Sequence, residues 1–248
     1  MSLLSVTRRG VGRPFLWLHG FTQTRDSAHQ FRSILAEARE LWTLDLPGHG
    51  LASALSADLA GCADLVADAM PDGPIDLGGY SLGGRVALHV VTRHPERVRR
   101  VVALGATRGI VDVDERAERR RRDEELATRA EVIGASAFLD EWVNQPLFAT
   151  LPADATDRAA RSNDSRGLAM ALRRMGTGTQ EFLDDPLSRV VAPTLALAGE
   201  LDLRFVDEAR AIAATVVDGR AAVVVGAGHA AHLERPGDAA RLVGEFLD

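Results

Sequence analysis

The chain has 248 residues, of which 46% are hydrophobic and 26% are charged, and its formal net charge is −6. At about 150 residues per domain, this length suits one large domain with an inserted subdomain. The composition excludes disorder, collagen and coiled coil as the main architecture, and the negative charge argues against general nucleic-acid binding.

The first third of the chain alternates between strand and helix patterns. Short apolar runs predict strands over 14–18, 41–45, 75–79 and 101–104. Apolar residues at helical spacing predict helices over 31–41, 58–70 and 82–92. Strands and helices that alternate at this spacing predict a parallel sheet with helices on both faces.

The alternation stops at residue 109 and returns near residue 187. Between them the sequence shows only helical periodicity, over 114–133, 136–142 and 167–175. Beyond them come strands at 194–198 and 222–225 and helices at 206–214 and 239–247. We therefore expect an α/β core formed by 1–108 and 187–248. Residues 109–186 are expected to form a helical cap over the carboxyl ends of the strands, where such sheets bind ligands.

Neither a membrane span nor a secretion signal is expected from the sequence. No apolar run approaches 18 residues, and the N-terminus continues into Arg8-Arg9 without a hydrophobic stretch. The single cysteine, Cys62, excludes a disulfide framework and a cysteine-based zinc site. These features predict a reduced, cytoplasmic compartment. No metal-ligand spacing or phosphate-binding loop is present, so we expect neither a metal nor an organic cofactor.

The five residues Gly79-Tyr80-Ser81-Leu82-Gly83 lie between a predicted strand and a predicted helix. This is the context of a nucleophile elbow, a tight turn that exposes a serine at a helix N-terminus. Small neighbours are needed because the turn is crowded, and the helix N-terminus favours negative charge. On its own the pattern is also compatible with a serine that only caps the helix.

Two further residues follow later strands in the order Ser, acid, His that accompanies such an elbow. Asp202 comes after the strand that ends at 198, and His229 follows Gly226-Ala227-Gly228. Glu200 is a rival acid and His232 a rival base, although a turn or helix would carry His232 away from the loop tip. The backbone amides of Phe21 and Leu82 are expected to form an oxyanion hole.

These motifs resemble those of the α/β-hydrolases, and the resemblance extends over essentially the whole chain. It rests on Leu18-His19-Gly20-Phe21, on Asp45-Leu46-Pro47-Gly48-His49-Gly50, on the elbow and on Gly228-His229. A narrower set of motifs resembles the 2-succinyl-6-hydroxy-2,4-cyclohexadiene-1-carboxylate synthases of menaquinone biosynthesis. That set comprises 79–85, Trp142 with 145–148, Arg161-Ser162-Asn163, 167–180, and 228–236, where Ala230 replaces the more usual asparagine.

The narrower resemblance implies a lyase rather than an ester hydrolase. The triad serine would act as a base that removes a substrate proton, and pyruvate would be expelled from a small polycarboxylate substrate. Arginines would hold its carboxylates, at positions matching Arg85, Arg119 and Arg161. Tyr80, Trp142 and Phe148 match pocket positions. The alternative is a hydrolase of a carboxylic ester or enol-lactone with Ser81 as nucleophile; a non-catalytic role would predict the loss of a triad member.

The residue pattern supports these arginines unequally. Arg85 follows Ser81 by one helical turn on an otherwise apolar helix, so it is expected to bind a carboxylate or to form an internal salt bridge. One of the four consecutive arginines at 119–122 should face inward; spacing does not separate Arg119 from Arg122 or Arg120, and the resemblance selects Arg119. By local pattern alone Arg161 is an exposed loop residue. Trp142 and Phe148 could equally be cap core, and the hydroxyl of Tyr80 could simply hold the elbow.

Overall fold

The computed structural model describes residues 2–161 and 163–248. Its centre is one seven-stranded sheet. The strands are β1 Val6–Arg9, β2 Arg13–Leu18, β3 Arg39–Leu44, β4 Ile75–Tyr80, β5 Val98–Leu104, β6 Thr194–Gly199 and β7 Gly219–Val224. Their order in the sheet is β1-β3-β2-β4-β5-β6-β7. The β1–β3 pair is antiparallel, and the other neighbours run parallel.

Helices cover both faces of this sheet, which confirms the predicted α/β architecture. The helices are α1 His29–Leu35, α2 Leu59–Ala69, α3 Leu82–Arg93, α4 Val113–Val143, α5 Ser165–Met175, α6 Asp184–Leu187, α7 Leu203–Thr215, α8 Ala231–Glu234 and α9 Pro236–Leu247. One apolar core lies between the sheet and α2, α3 and α7, and the other lies between the sheet and α1 and α9. No helix among the described residues has both the length and the apolar character needed to cross a membrane.

Two elements near the N-terminus differ from the sequence prediction. β1 was not predicted, because it is an edge strand whose four residues bury little surface and show no apolar alternation. The helix predicted to reach residue 41 ends at Leu35. The chain turns there because residues from Arg39 onward pair with β2. Tertiary pairing therefore overrides the helical spacing of the last predicted turn.

The region between β5 and β6 is helical, and its helices share a small core of their own. Ala127, Ala130 and Phe138 of α4 pack against Leu168 and Leu172 of α5. The two helices predicted over 114–133 and 136–142 are joined into α4 with a kink at Gly134, whose φ is 81°. The cap boundaries at 108/109 and 186/187 stay a prediction.

The cap meets the core through a close backbone contact. A Cβ on Gly48, in the loop after β3, would lie 2.6 Å from the carbonyl oxygen of Gly167, and one on Gly167 would lie 2.6 Å from that of Gly48. Neither position has room for a side chain. The first turn of α5 therefore lies directly on the edge of the sheet where the functional loops emerge.

Candidate active site

Ser81 lies at the turn between β4 and α3, with φ 51° and ψ −108°. A Cβ on Gly79 would lie 2.3 Å from the carbonyl carbon of Gly83, and one on Gly83 would lie 2.3 Å from the carbonyl oxygen of Leu18. The turn is thus closed to larger residues at both positions. The strained backbone of Ser81 is held by a 2.8 Å hydrogen bond from its amide to the carbonyl of Leu104.

Ser81, His229 and Asp202 form a continuous hydrogen-bonded chain. The Nε2 atom of His229 lies 3.3 Å from Ser81 Oγ, and its Nδ1 atom lies 2.7 Å from Asp202 Oδ2. The three residues come from loops after β4, β6 and β7, at the carboxyl edge of the sheet. This arrangement allows His229 to accept a proton from Ser81 while Asp202 fixes the imidazole tautomer.

The rival acid and the rival base both have other partners. Glu200 is exposed, and it accepts a hydrogen bond of 2.8 Å from the amide of Gly226. His232 is fully buried and lies 3.1 Å from Gln23 Nε2. Burial lowers the pKa of His232 well below its usual value, so this imidazole is neutral at pH 7. Neither residue is hydrogen-bonded to Ser81 or His229.

The loop that carries Phe21 is held by side chains beneath it. Gln23 Oε1 accepts from the amide of Gly20 at 2.9 Å, which leaves Gln23 Nε2 to donate to His232. His19 Nδ1 donates to the carbonyl of Gly20 at 2.9 Å, and its Nε2 accepts from the amide of Leu46 at 3.0 Å. Among the described residues, the amide of Phe21 has no acceptor. It is thus available to an oxyanion, as is the amide of Leu82 at the N-terminus of α3.

A cavity opens between the elbow and the cap. Its walls combine the Ser81–His229 pair with apolar side chains and three arginines. The lining residues are Phe21, Ser81, Leu82, Arg85, Gly105, Thr107, Arg119, Trp142, Leu147, Ala171, Leu172, Met175, Gly176, Thr177, Arg204, Phe205 and His229.

Arg85 lies in this wall with only 7% of its surface exposed. Its guanidinium donates to Gln180 Oε1 at 3.2 Å and to the carbonyl of Met175 at 2.8 Å. No carboxylate in the described part of the chain pairs with it, so the alternative of an internal salt bridge does not hold there. Burial lowers the pKa of Arg85 to about 10, which still leaves it charged at pH 7. A buried cation with only neutral partners is well suited to receive an anionic ligand.

Arg119 is the member of the four-arginine run that lines the cavity. Its Nε lies 2.8 Å from Asp123 Oδ1, and Asp123 Oδ2 accepts from the amide of Gly178 at 3.0 Å. Arg121 and Arg122 instead pair with Glu118 on the outer face of α4. The inward position of Arg119 therefore depends on a buried carboxylate one turn further along the helix.

Of the three predicted pocket aromatics, only Trp142 lines the cavity, packing edge-on against Phe21 with ring centroids 4.8 Å apart. Tyr80 and Phe148 do not line the cavity but pack against His229, which does. The ring of Tyr80 lies 5.3 Å from that of His229, and the ring of Phe148 lies 5.9 Å from it. The hydroxyl of Tyr80 is buried without a hydrogen-bond partner in the described chain. Burial raises the pKa of this phenol, so it stays protonated.

Arg161 corrects the expectation from local pattern, since it is buried rather than exposed. Its Nη1 donates to Thr22 Oγ1 at 2.5 Å and its Nε to the carbonyl of Thr156 at 2.8 Å. It therefore lies behind the Phe21 loop and is not among the residues that line the cavity. The neighbouring Ser162, which belongs to the motif that singled out Arg161, lies outside the described residues.

Several residues at the site were missed by sequence analysis. Phe205 packs at a tilt against His229 with ring centroids 4.5 Å apart, and its neighbour Arg204 lines the cavity. Glu234 accepts from the amides of Gly228 and Ala230 and so holds the loop of His229. No motif marks Arg204 or Phe205; the available signal was their position two and three residues after Asp202. Among residues 2–161 and 163–248, no cluster of three or more His, Cys, Asp or Glu side chains is arranged to hold a metal ion.

Comparison with known proteins agrees with this geometry. The model of the α/β hydrolase fold family matches residues 13–236. A 2-succinyl-6-hydroxy-2,4-cyclohexadiene-1-carboxylate synthase of Escherichia coli O7:K1 is 34% identical over 235 residues, covering 91% of this chain and 90% of that protein. The synthase of the same name from Shigella dysenteriae serotype 1 is 34% identical over 245 residues and 95% of each chain.

Solved structures extend the comparison. The structure of MenH from S. aureus superposes with a TM-score of 0.91 at 28% identity, covering 100% of this chain and 98% of that one. A thermophilic esterase from Thermogutta terrifontis superposes with a TM-score of 0.85 at 24% identity, covering 98% and 92% of the two chains, and shares the fold alone. This chain therefore has the α/β-hydrolase fold and belongs to the family of the 2-succinyl-6-hydroxy-2,4-cyclohexadiene-1-carboxylate synthases.

Proposed function

We propose that the protein is a carbon–oxygen lyase that eliminates pyruvate from a succinyl-enolpyruvyl-hydroxycyclohexene-carboxylate, giving 2-succinyl-6-hydroxy-2,4-cyclohexadiene-1-carboxylate. The observation that carries this proposal is the pairing of Ser81 and His229 with buried or anchored arginines in one cavity. A substrate with three carboxylates needs such cations, whereas the pocket of an ordinary esterase is mostly apolar. Family membership supports the same reaction.

The proposed chemistry begins with proton removal. Ser81 Oγ takes a proton from the ring carbon next to the succinyl carbonyl while His229 takes the hydroxyl proton of Ser81. The C–H electron pair forms the enolate double bond between that ring carbon and the carbonyl carbon, and the carbonyl oxygen gains negative charge. The amides of Phe21 and Leu82 would stabilise that oxyanion.

Collapse of the enolate then breaks the carbon–oxygen bond to the enolpyruvyl group. His229 donates the proton that it took from Ser81 to the oxygen of the leaving group. The group departs as the enol form of pyruvate, which tautomerises to pyruvate. No covalent bond to Ser81 is needed, so the serine is a base rather than a nucleophile. Arg85 and Arg119 would bind carboxylates and set the ring above Ser81, with guanidinium groups that match carboxylate geometry.

Hydrolysis of a carboxylic ester or enol-lactone is the second candidate. It is favoured by the same cavity-lining serine and amides, which suit a tetrahedral intermediate equally well, and by the apolar wall of Phe21, Trp142 and Leu147. In that case Ser81 would form an acyl-enzyme, and the arginines would have no partner in a neutral substrate.

The two candidates are separated by assaying the purified protein on both substrate classes. Release of pyruvate from the precursor, followed through a coupled reduction, is expected to be efficient, and cleavage of p-nitrophenyl acetate is expected to be slow. Protein that cleaves neutral esters efficiently but leaves the precursor unchanged would overturn the lyase proposal.

A further inference from the structure

Arg204 lies in the cavity wall, two residues after Asp202. It is the second residue of α7, and its guanidinium carbon lies 5.8 Å from the ring centroid of Phe205. Phe205 in turn packs at a tilt against the ring of His229, with ring centroids 4.5 Å apart. Arg204 thus lines the same cavity as His229, on a helix that carries neither Arg85 nor Arg119.

The three arginines of the cavity differ in how much of their hydrogen-bonding capacity is used. Arg85 donates to Gln180 and Met175, and Arg119 donates to Asp123. Arg204 has no hydrogen bond and no salt bridge within the described part of the chain, so all five of its N–H donors are available. The nearest acid in sequence, Asp202, is already bonded to His229.

The positive charges at the cavity come from three different helices. Arg204 is exposed at the cavity, while Arg161, the third arginine suggested by the family motif, is buried behind Thr22. The cations that line the cavity are therefore Arg85, Arg119 and Arg204, one from each of α3, α4 and α7. A substrate that carries three carboxylates could be met by one guanidinium on each.

We propose that Arg204 is a third carboxylate-binding residue of the site and that it mainly increases the affinity for polycarboxylate ligands. The identity of the substrate in this inference rests on the proposed function. The binding of carboxylates as a class does not depend on it. Because Arg204 is hydrated before the ligand arrives, its contribution is smaller than that of a buried cation and is screened by salt. It should therefore affect KM and association more than kcat.

The test compares Arg204→Gln with Arg210→Gln. Arg210 lies on the same helix, is exposed, pairs with Asp207 and does not line the cavity. Both changes remove one positive charge from α7. We expect Arg204→Gln to raise KM for the precursor about three- to tenfold at low salt with kcat within about twofold, and Arg210→Gln to leave both unchanged. In about 0.5 M salt the difference in KM between the two variants should become smaller. Arg204→Lys keeps the positive charge, so its KM should lie closer to that of the unaltered protein than the KM of Arg204→Gln does.

A non-reacting ligand separates this proposal from the lyase assignment. Binding of propane-1,2,3-tricarboxylate can be measured by titration calorimetry, with the change in tryptophan fluorescence, to which Trp142 in the cavity wall contributes, as a check. Weaker binding in Arg204→Gln but not in Arg210→Gln supports the subsite even if the precursor is not turned over. Equal behaviour of the two variants, or no binding by the unaltered protein, would overturn it.

Discussion

The two sides of the cavity are built in different ways. On the sheet side, Ser81, Asp202 and His229 are placed by backbone geometry, at loops that follow three parallel strands. On the cap side, Arg119 is placed by one buried side chain, Asp123, on a helix that a kink at Gly134 interrupts. Arg85 lies between them, on a core helix but with its head among cap residues. The Ser81–His229–Asp202 chain is thus placed by the fold itself, whereas the inward arginine of the cap depends on one side-chain contact, which is easier to alter.

The largest effect is expected on the sheet side. Ser81→Ala should reduce turnover of the precursor by at least about a thousandfold, because the base is lost while the binding arginines remain. Ser81→Gly should be equally inactive but more stable by about 1 kcal/mol, since a φ of 51° favours glycine. Steady-state kinetics and urea unfolding measure the two effects. An alanine variant that keeps kcat within tenfold would remove Ser81 from the mechanism.

Arg85→Ala addresses the boundary between the two sides. A desolvated, charge-assisted contact is worth about 2–4 kcal/mol, so kcat/KM for the precursor should fall roughly 30- to 1000-fold. Cleavage of p-nitrophenyl acetate should stay within a few-fold, because a neutral ester offers the guanidinium no partner. Thermal melting serves as the control. Equal losses on both substrates, together with a lower melting temperature, would make Arg85 a structural residue.

Sequence and structure agree best on the sheet side, and the reason is physical. The elbow needs glycines at fixed positions because a Cβ there would strike backbone, so the constraint is visible in five residues. Parallel strands bring their following loops to one edge, which predicts where Asp202 and His229 lie relative to Ser81. The catalytic roles of these residues and of the oxyanion amides remain proposals to be tested as above.

The cap side was less accessible to sequence reasoning. Helical spacing left Arg119 and Arg122 equivalent, because what separates them is the contact with Asp123 and Gly178 rather than any periodicity. Arg161 looked exposed because its burial depends on Thr22, 139 residues away in sequence. Arg204 and Phe205 carry no motif at all. Such residues are placed by long-range packing, which no local pattern records.

Asp123→Asn tests whether one carboxylate positions the cap arginine. The amide of asparagine can still accept from Gly178, but its NH2 group would face Arg119 Nε, so the arginine should leave its inward position. We expect kcat/KM for the precursor to fall about tenfold and the free energy of unfolding to drop by about 1–3 kcal/mol.

The matched control for this change is Glu118→Gln. Glu118 lies on the same helix and pairs with Arg121 and Arg122, which do not line the cavity. It should keep kcat/KM within about twofold, because exposed ion pairs contribute little. If Glu118→Gln lowered activity as much as Asp123→Asn, the helix as a whole, and not the inward arginine, would be responsible.

The smallest effect concerns stability and the loops that lie beneath both sides. His49 is fully buried after β3, and its ring packs edge-on against Phe21 with centroids 5.5 Å apart. Burial lowers the pKa of His49 to about 3 and that of His19 to about 4, from 6.5 for an exposed imidazole. The folded protein therefore binds fewer protons than the unfolded chain below about pH 6.5, so acidification favours unfolding.

Each of these two histidines should lower the free energy of unfolding by about 2 kcal/mol between pH 7 and pH 5. The variant His49→Gln removes one of these histidines. Its free energy of unfolding should therefore fall by about 2 kcal/mol less than that of the unaltered protein between pH 7 and pH 5. His29→Gln, at an exposed histidine, serves as the control for the removal of one imidazole. Urea unfolding at the two pH values measures the difference. If the slope is the same in all three proteins, His49 is not held neutral by the fold, and the packing of the Phe21 loop is looser than the structure shows.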